Sequence, residues 1–378
     1  MKTTRLSFID LMRGVTILVM IEVHVVNSMM DYSLRSTGWF QVVNFINGLV
    51  APSFIFISGF SFMLTAQTKL ESFRRLKYDF FRHLGRIILI WFAGYMLHIP
   101  FFSLDKCLNR ATWVHWIKFF SVDVLQCIAL GLLVIFLLRI IIKSDRVFLA
   151  VTAMLGLAAV LPAQYVYTIE FERFLPFYLA AYLTPVYFTI FPIFPFFGFM
   201  ACGVILAWVF IKSGEAGNES IVIKRSLVTG AVAAMASLPL MFYLKDCAGL
   251  FTDVRPNILF FTARLGILYV ILAACYYYCR FRAKPSSIII YPGRESLAVY
   301  LMHLQVLHRK VLPGGHSLIT MYPDVLGFGA CLLVTCGIIL LMIPMAMVWN
   351  YWKTRYKYFG RLAVFTIITA GALIFVLI

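Results

Sequence analysis

Long apolar runs separated by short charged links constrain this chain more than any other feature of it. A membrane-crossing helix needs about 20 predominantly apolar residues. Eleven such runs succeed one another near 11–30, 42–66, 87–104, 119–142, 147–163, 186–211, 227–244, 256–279, 296–312, 324–349 and 362–378. Composition agrees, because hydrophobic residues make up 62% and charged residues only 13% of the 378, against roughly 45–50% and about 25% in soluble domains. So few polar residues cannot make a water-facing shell. The expected fold is an all-α, polytopic integral membrane bundle of about eleven transmembrane helices, forming a single domain over 1–378.

The net charge of +17 would raise nucleic-acid binding in a soluble protein. Here it is better read as topology. Of the 33 Lys and Arg, 23 fall in the N-terminus and the alternate links 67–86, 139–147, 212–226, 280–295 and 350–361, nine fall in the other links, and Arg264 falls within a run. The positive-inside rule then predicts an N-in, C-out chain, anchored most firmly by Arg74, Arg75, Lys77, Arg82 and Arg86. The first run is too long for a secretory leader and has no small-residue cleavage site. The aromatic stretch 164–185 is expected to lie in the interface or fold back into the bundle. The two prolines in IFPIFPFF (190–197) predict a kinked or broken span. No Cys/His spacing resembles a zinc site, so no metal is expected. Cys107 and Cys247 both lie in outer links, where they could pair.

Ionisable groups inside a span are costly and mark function by default. The first run carries Asp10, Arg13, Glu22 and His24 in FIDLMRGVTILVMIEVH. Arg13 and His24 are eleven residues apart, three helical turns to within about 20° and about 16 Å of rise. One helix face therefore carries a cation at the basic side and an imidazole in the outer half. Glu22 lies about 200° around the helix from His24 and needs another partner, with Arg264 a candidate. Bland readings stand beside these: Arg13 as a topology anchor, and His24 as a polar side chain bonded between helices. Arg264 is either the ion-pair partner of Glu22 or a ligand for an anion. Asn44, Asn47, Ser53 and Ser58 suit helix–helix contacts, with Pro52 and Gly59 allowing a kink or close packing. His303 falls mid-run. The preceding Tyr291–Ser296 reads as a turn opening a helix, where free amides and Arg294 suit a phosphate.

Three strings together resemble the transmembrane acyltransferase superfamily, which includes the heparan-α-glucosaminide N-acetyltransferases with their bacterial relatives and the polysaccharide O-acyltransferases. They are IDLMRGVTILVMIEVH, LVAPSFIFISGFSF and GRESLAVYLMHLQVL, on the first, second and ninth runs. The first outer link, MMDYSLRSTGWFQ, has no His, so His24 takes the placement seen in the polysaccharide enzymes and bacterial relatives. Many of those relatives have an Asp immediately before the His. Here that position is Val23, with Glu22 one residue earlier.

The resemblance implies a membrane acyltransferase in a bacterial cytoplasmic membrane, moving an acyl group, acetyl by preference, from cytoplasmic acyl-CoA to a sugar amine or hydroxyl on the outer face. It implies His24 as catalytic base with Glu22 assisting. Arg13 and Arg294, with Ser58 and Gly59, would hold the acetyl-CoA donor; His303, Arg264 and Asn47 would face the acceptor. The expected partners are acyl-CoA, a glycan or other saccharide, membrane lipid and, left open, a second copy of the chain in a homodimer; nucleic acid is not expected. The rival class is a transporter or flippase using Glu22, His24 and Arg264 as a relay. A transporter gives no reason for Arg and His at that eleven-residue spacing.

Overall fold

The computed structural model describes residues 6–243, 256–282, 287–309, 316–356 and 358–377. Among these the chain is helical, with no strand beyond one isolated bridge between Met30 and Leu326. Every one of the eleven apolar runs falls on a helix. These are α1 (Ser7–Met29), α3 (Val50–Arg74), α4 (Tyr78–Leu97), α7 (Val124–Ile141), α8 (Asp145–Val160), α11 (Ile193–Glu215), α12 (Glu219–Tyr243), α13 (Ile258–Phe281), α15 (Ser296–His308), α17 (Phe328–Arg355) and α18 (Phe359–Leu377). Seven stretches among the described residues are long and apolar enough to cross a membrane: Gly38–Arg74, Tyr78–Leu97, Val124–Ile141, Ile193–Glu215, Glu219–Met241, Ile258–Phe281 and Phe328–Arg355. Large apolar side chains remain bare on them, as on Leu333 and Leu340 of α17, which suits lipid and not water. The protein is a polytopic helical membrane protein.

Local chemistry explains where these helices begin and break. The α7 helix starts at a reciprocal cap: Asp123 accepts from the Val124 amide at 2.7 Å, and Gln126 accepts from the Asp123 amide at 3.2 Å. Such a cap stabilises a helix start by about 1 kcal/mol. The second run is divided, because α2 (Gly38–Asn47) ends at Gly48 before α3 begins. The double-proline expectation holds: Phe194 has non-helical angles (φ −90°, ψ 121°) inside α11, and Tyr167 donates to its freed carbonyl. The 164–185 stretch does not span. It forms the short turns α9 (Ala163–Val166) and α10 (Phe177–Ala180) around a 3-10 turn at Phe171–Arg173. Two further short helices, α5 (Leu104–Asn109) and α6 (Trp113–Phe119), lie in the link after α4.

Two compact units arise, each discontinuous in sequence. One comprises the described residues within Ala51–Ala273 and Ala370–Ile378; the other comprises those within Arg5–Val50 and Ala274–Thr369. In the first, α11 is central and packs on α7, α8 and α12. A methyl at Gly59 would lie 2.2 Å from the Met200 carbonyl oxygen, and one at Gly203 would lie 2.1 Å from that of Phe56. Glycine therefore lets α3 and α11 meet backbone to backbone, a common device where no hydrophobic effect drives helices together. Arg139, expected as a topology anchor in its link, is instead 1% exposed. It pairs with Asp145 and lies 4.9 Å from the Phe148 ring centre. In the second unit α1 packs against α14 (Ser287–Arg294), α15 and α17.

Candidate active site

The first-helix motif folds onto residues near the other end of the sequence. Asp10, 1% exposed, accepts through Oδ2 from Arg294 Nε at 3.2 Å, and its Oδ1 lies 3.7 Å from Arg13 Nη1. Two guanidinium groups thus share one buried carboxylate, and the cluster keeps one formal positive charge. Both arginine side chains stay partly open, 23% and 30% exposed. Asp10 had no assigned role in the sequence reading. Its i, i+3 spacing from Arg13 and the cost of an unpaired carboxylate in a span were signals for one.

Close approach makes this cluster feasible. A methyl at Gly14 would lie 2.0 Å from the Ile289 carbonyl oxygen, and one at Gly293 would lie 1.9 Å from the Asp10 carbonyl oxygen. The glycines of Met12-Arg13-Gly14 and Pro292-Gly293-Arg294 are therefore the crossing points of α1 and α14. The Tyr291–Ser296 segment is a helix-to-helix junction: Arg294 closes α14, Glu295 is a single turn residue whose amide bonds the Tyr291 carbonyl at 3.1 Å, and Ser296 opens α15. Arg294 is turned towards α1 by its pairing with Asp10. Glu295, 6% exposed, accepts from Asn350 at 2.8 Å and pairs with Lys353, tying the junction to α17.

Three turns along α1, His24 is half-buried and stands among rings of α15. The His24 and His303 ring centres are 5.1 Å apart, His24 and Tyr300 6.4 Å, and Tyr300 and His303 5.7 Å. Val299, Tyr300, His303 and Leu307 are the buried residues of α15, a helical stripe at spacings of one, three and four. His303 is fully buried, and its Nδ1 lies 2.9 Å from the Val299 carbonyl. A carbonyl only accepts, so Nδ1 carries the hydrogen. The Nε2 atom then bears a bare lone pair, buried and with no hydrogen-bond partner among the described residues.

The remaining expected site residues divide between the units. Glu22 accepts from Asn47 Nδ2 at 3.5 Å, so Asn47 of α2 holds Glu22 within the same unit. Arg264, Ser58 and Gly59 belong to the other unit. There the Arg264 guanidinium sits 3.6 Å from the Phe260 ring centre and donates to the Phe260 carbonyl at 3.4 Å. The Ser58 hydroxyl donates to the Phe54 carbonyl at 2.7 Å within its own helix, and Gly59 serves the α3–α11 crossing. Cys107 is buried, and its thiol lies 3.2 Å from the Phe101 carbonyl; Cys247, its expected pairing partner, lies outside the described residues.

The protein is thus a polytopic helical membrane protein with two arginines at one end of its first helix and two histidine rings side by side three turns along. Over residues 5–246 the chain matches the family described as heparan-alpha-glucosaminide N-acetyltransferase, catalytic. That stretch is well over half of the chain, and the chain belongs to this family of membrane acyltransferases. No curated protein matches the chain. The match includes Asp10, Arg13, Glu22, His24 and Asn47 but stops short of Arg294, Tyr300 and His303.

Proposed function

We propose that the protein transfers an acetyl group from cytoplasmic acetyl-CoA to an amine or hydroxyl of a saccharide on the outer face of a bacterial cytoplasmic membrane, with the N-terminus inside. The carrying observation is the arrangement on α1: two arginines sharing Asp10, and the His24–His303 pair about 16 Å further along. That distance is similar to the reach from the phosphates of acetyl-CoA to its thioester. Arg13 and Arg294 bind the anionic end of the donor by charge-assisted hydrogen bonds. His24 takes the proton from the acceptor's N–H or O–H as the nucleophile attacks the thioester carbonyl, a role typically worth 10²–10⁴-fold. The C–S bond then breaks, the CoA thiolate leaves, and the proton on His24 returns to it. Transfer is direct, with no covalent enzyme intermediate. Glu22, held by Asn47, is assigned to the acceptor side.

Purified protein incubated with radiolabelled acetyl-CoA and a panel of amino sugars and neutral sugars tests this. Label is expected on an amino sugar or sugar hydroxyl, and His24→Ala should abolish it. Failure to bind acetyl-CoA, together with an undiminished cellular phenotype in His24→Ala, overturns the proposal. The rival reading is a transporter or flippase that uses Glu22, His24 and Arg264 as a relay. Acetyl-CoA-independent movement of a sugar across proteoliposomes would favour it.

A further inference from the structure

A histidine base works only if its other ring nitrogen is held, because that bond decides which nitrogen is bare. In serine hydrolases a buried carboxylate does this. Among the described residues no such carboxylate is placed to serve His24: Glu22 projects about 200° around α1 from it and is engaged by Asn47. Among the described residues, His24 has ring neighbours and no hydrogen bond. Its nearest ring, His303, holds a buried acceptor that is also without a partner. One group lacks an acceptor for its N–H, and the other lacks a donor for its lone pair.

We infer that His303 is the positioning residue for His24, accepting the His24 N–H on Nε2 and so fixing the tautomer that leaves the opposite His24 nitrogen bare towards the acceptor. This rests on the acetyl-transfer reading of the same site. Geometry allows it: ring centres 5.1 Å apart admit a nitrogen–nitrogen approach of about 2.8–3.0 Å once the half-buried His24 ring turns towards His303, within hydrogen-bond range. The Val299 carbonyl fixes His303 itself, since Nδ1 cannot release its hydrogen to that partner and keep the bond. Proton accounting closes. The acceptor's proton moves to the bare nitrogen of His24, the resulting imidazolium keeps its second N–H on His303 Nε2, and the departing CoA thiolate takes one proton back. His303 neither gains nor loses one. Tyr300, against both rings, packs the pair and restricts their rotation.

The test compares wild type, His303→Leu and His303→Gln, each checked for monodispersity and for acetyl-CoA binding by calorimetry. Leu removes the acceptor, and Gln restores one in its side-chain oxygen. The expected result for His303→Leu is a fall in kcat of about 10-fold or more, with acetyl-CoA affinity within about twofold, and a partial return of kcat in His303→Gln. Nitrogen-15 NMR of histidine-labelled protein should show one His24 tautomer in wild type and a mixture in His303→Leu. Full kcat and a single His24 tautomer in His303→Leu overturn the inference while leaving the acetyl-transfer reading intact. Loss of acetyl-CoA binding in parallel with rate, unrelieved by Gln, also overturns it, because that is a packing defect. A wild-type protein without acetyl transfer removes both.

Discussion

Replacing Gly14 by alanine probes the crossing on which the arginine pair depends. The added methyl would sit 2.0 Å from the Ile289 carbonyl oxygen, whereas a carbon–oxygen contact is ordinary from about 3.3 Å. The obstacle is backbone, not the end of a flexible side chain, so α1 and α14 must part by about 1.3 Å. The Arg294–Asp10 bond, now 3.2 Å, would open to about 4.5 Å and cease to be a hydrogen bond. Overpacking costs about 1–3 kcal/mol, and losing a hydrogen bond between charged groups about 1.5–3 kcal/mol. The total expected destabilisation is about 2.5–6 kcal/mol. His24 lies ten residues along the same helix, about 15 Å away, so kcat should change little while KM for acetyl-CoA rises by roughly tenfold or more. Thermal unfolding in detergent and steady-state kinetics measure both. The control is Gly337→Ala on α17, where nothing lies within 4 Å and alanine should be neutral or stabilise by about 0.5–1 kcal/mol. A Gly14→Ala protein with the wild-type melting midpoint and KM would refute the reasoning, since the helices would then have room that the crossing denies them.

Arg294→Ala should raise KM for acetyl-CoA and flatten its dependence on salt, because one of two cations facing the anionic donor is gone; kinetics at two ionic strengths will show it. Glu295→Ala should destabilise by about 1–3 kcal/mol, measured by thermal unfolding, because Asn350 and Lys353 lose the acceptor that ties α17 to the helix junction. Asp145, ahead of the apolar run of α8, offers a pH test. Burial pushes its carboxyl up, but the Arg139 hydrogen bond and charge, with Trp208 and Lys212, outweigh this and hold it below its ordinary 3.8. A lowered folded-state value means that the stabilisation is fully present above the ordinary value and lost as pH falls through the lowered one. The melting midpoint should therefore drop in that acid window, and Asp145→Asn should remove this component. The variant should also cost about 3 kcal/mol near neutrality by leaving Arg139 buried without its carboxylate.

The helices were legible in the sequence because lipid imposes a simple rule: a span must be apolar along its length. Their ends were less so. The α3 helix runs on to Arg74 and α17 to Arg355, past the apolar runs that predicted them. Lys, Glu and Arg are good helix formers, so hydropathy stops where the helix does not. The site was half legible. Spacing within one helix put Arg13 and His24 on a common face, but nothing local connects Asp10 to Arg294 or His24 to His303, which are hundreds of residues apart. The same limit explains the Glu22 assignment: a buried carboxylate announces that it needs a partner but not which one. Within its unit Glu22 meets Asn47 of the next helix, an amide that no charge pattern points to.

The family match ends at residue 246, yet the opening motif meets partners beyond it. Asp10 is a buried carboxylate whose cost in an apolar bundle is several kcal/mol unless a cation meets it. Arg13 on the same helix approaches only to 3.7 Å, and the closer bond comes from Arg294. His24 likewise stands against rings supplied by α15. Two glycines, one on α1 and one on α14, bring the backbones near enough for the first of these partnerships. The unit that joins Arg5–Val50 to Ala274–Thr369 therefore brings the first helix its long-range partners: Arg294 adds the nearer bond to a carboxylate that Arg13 already faces, and α15 supplies the rings beside His24.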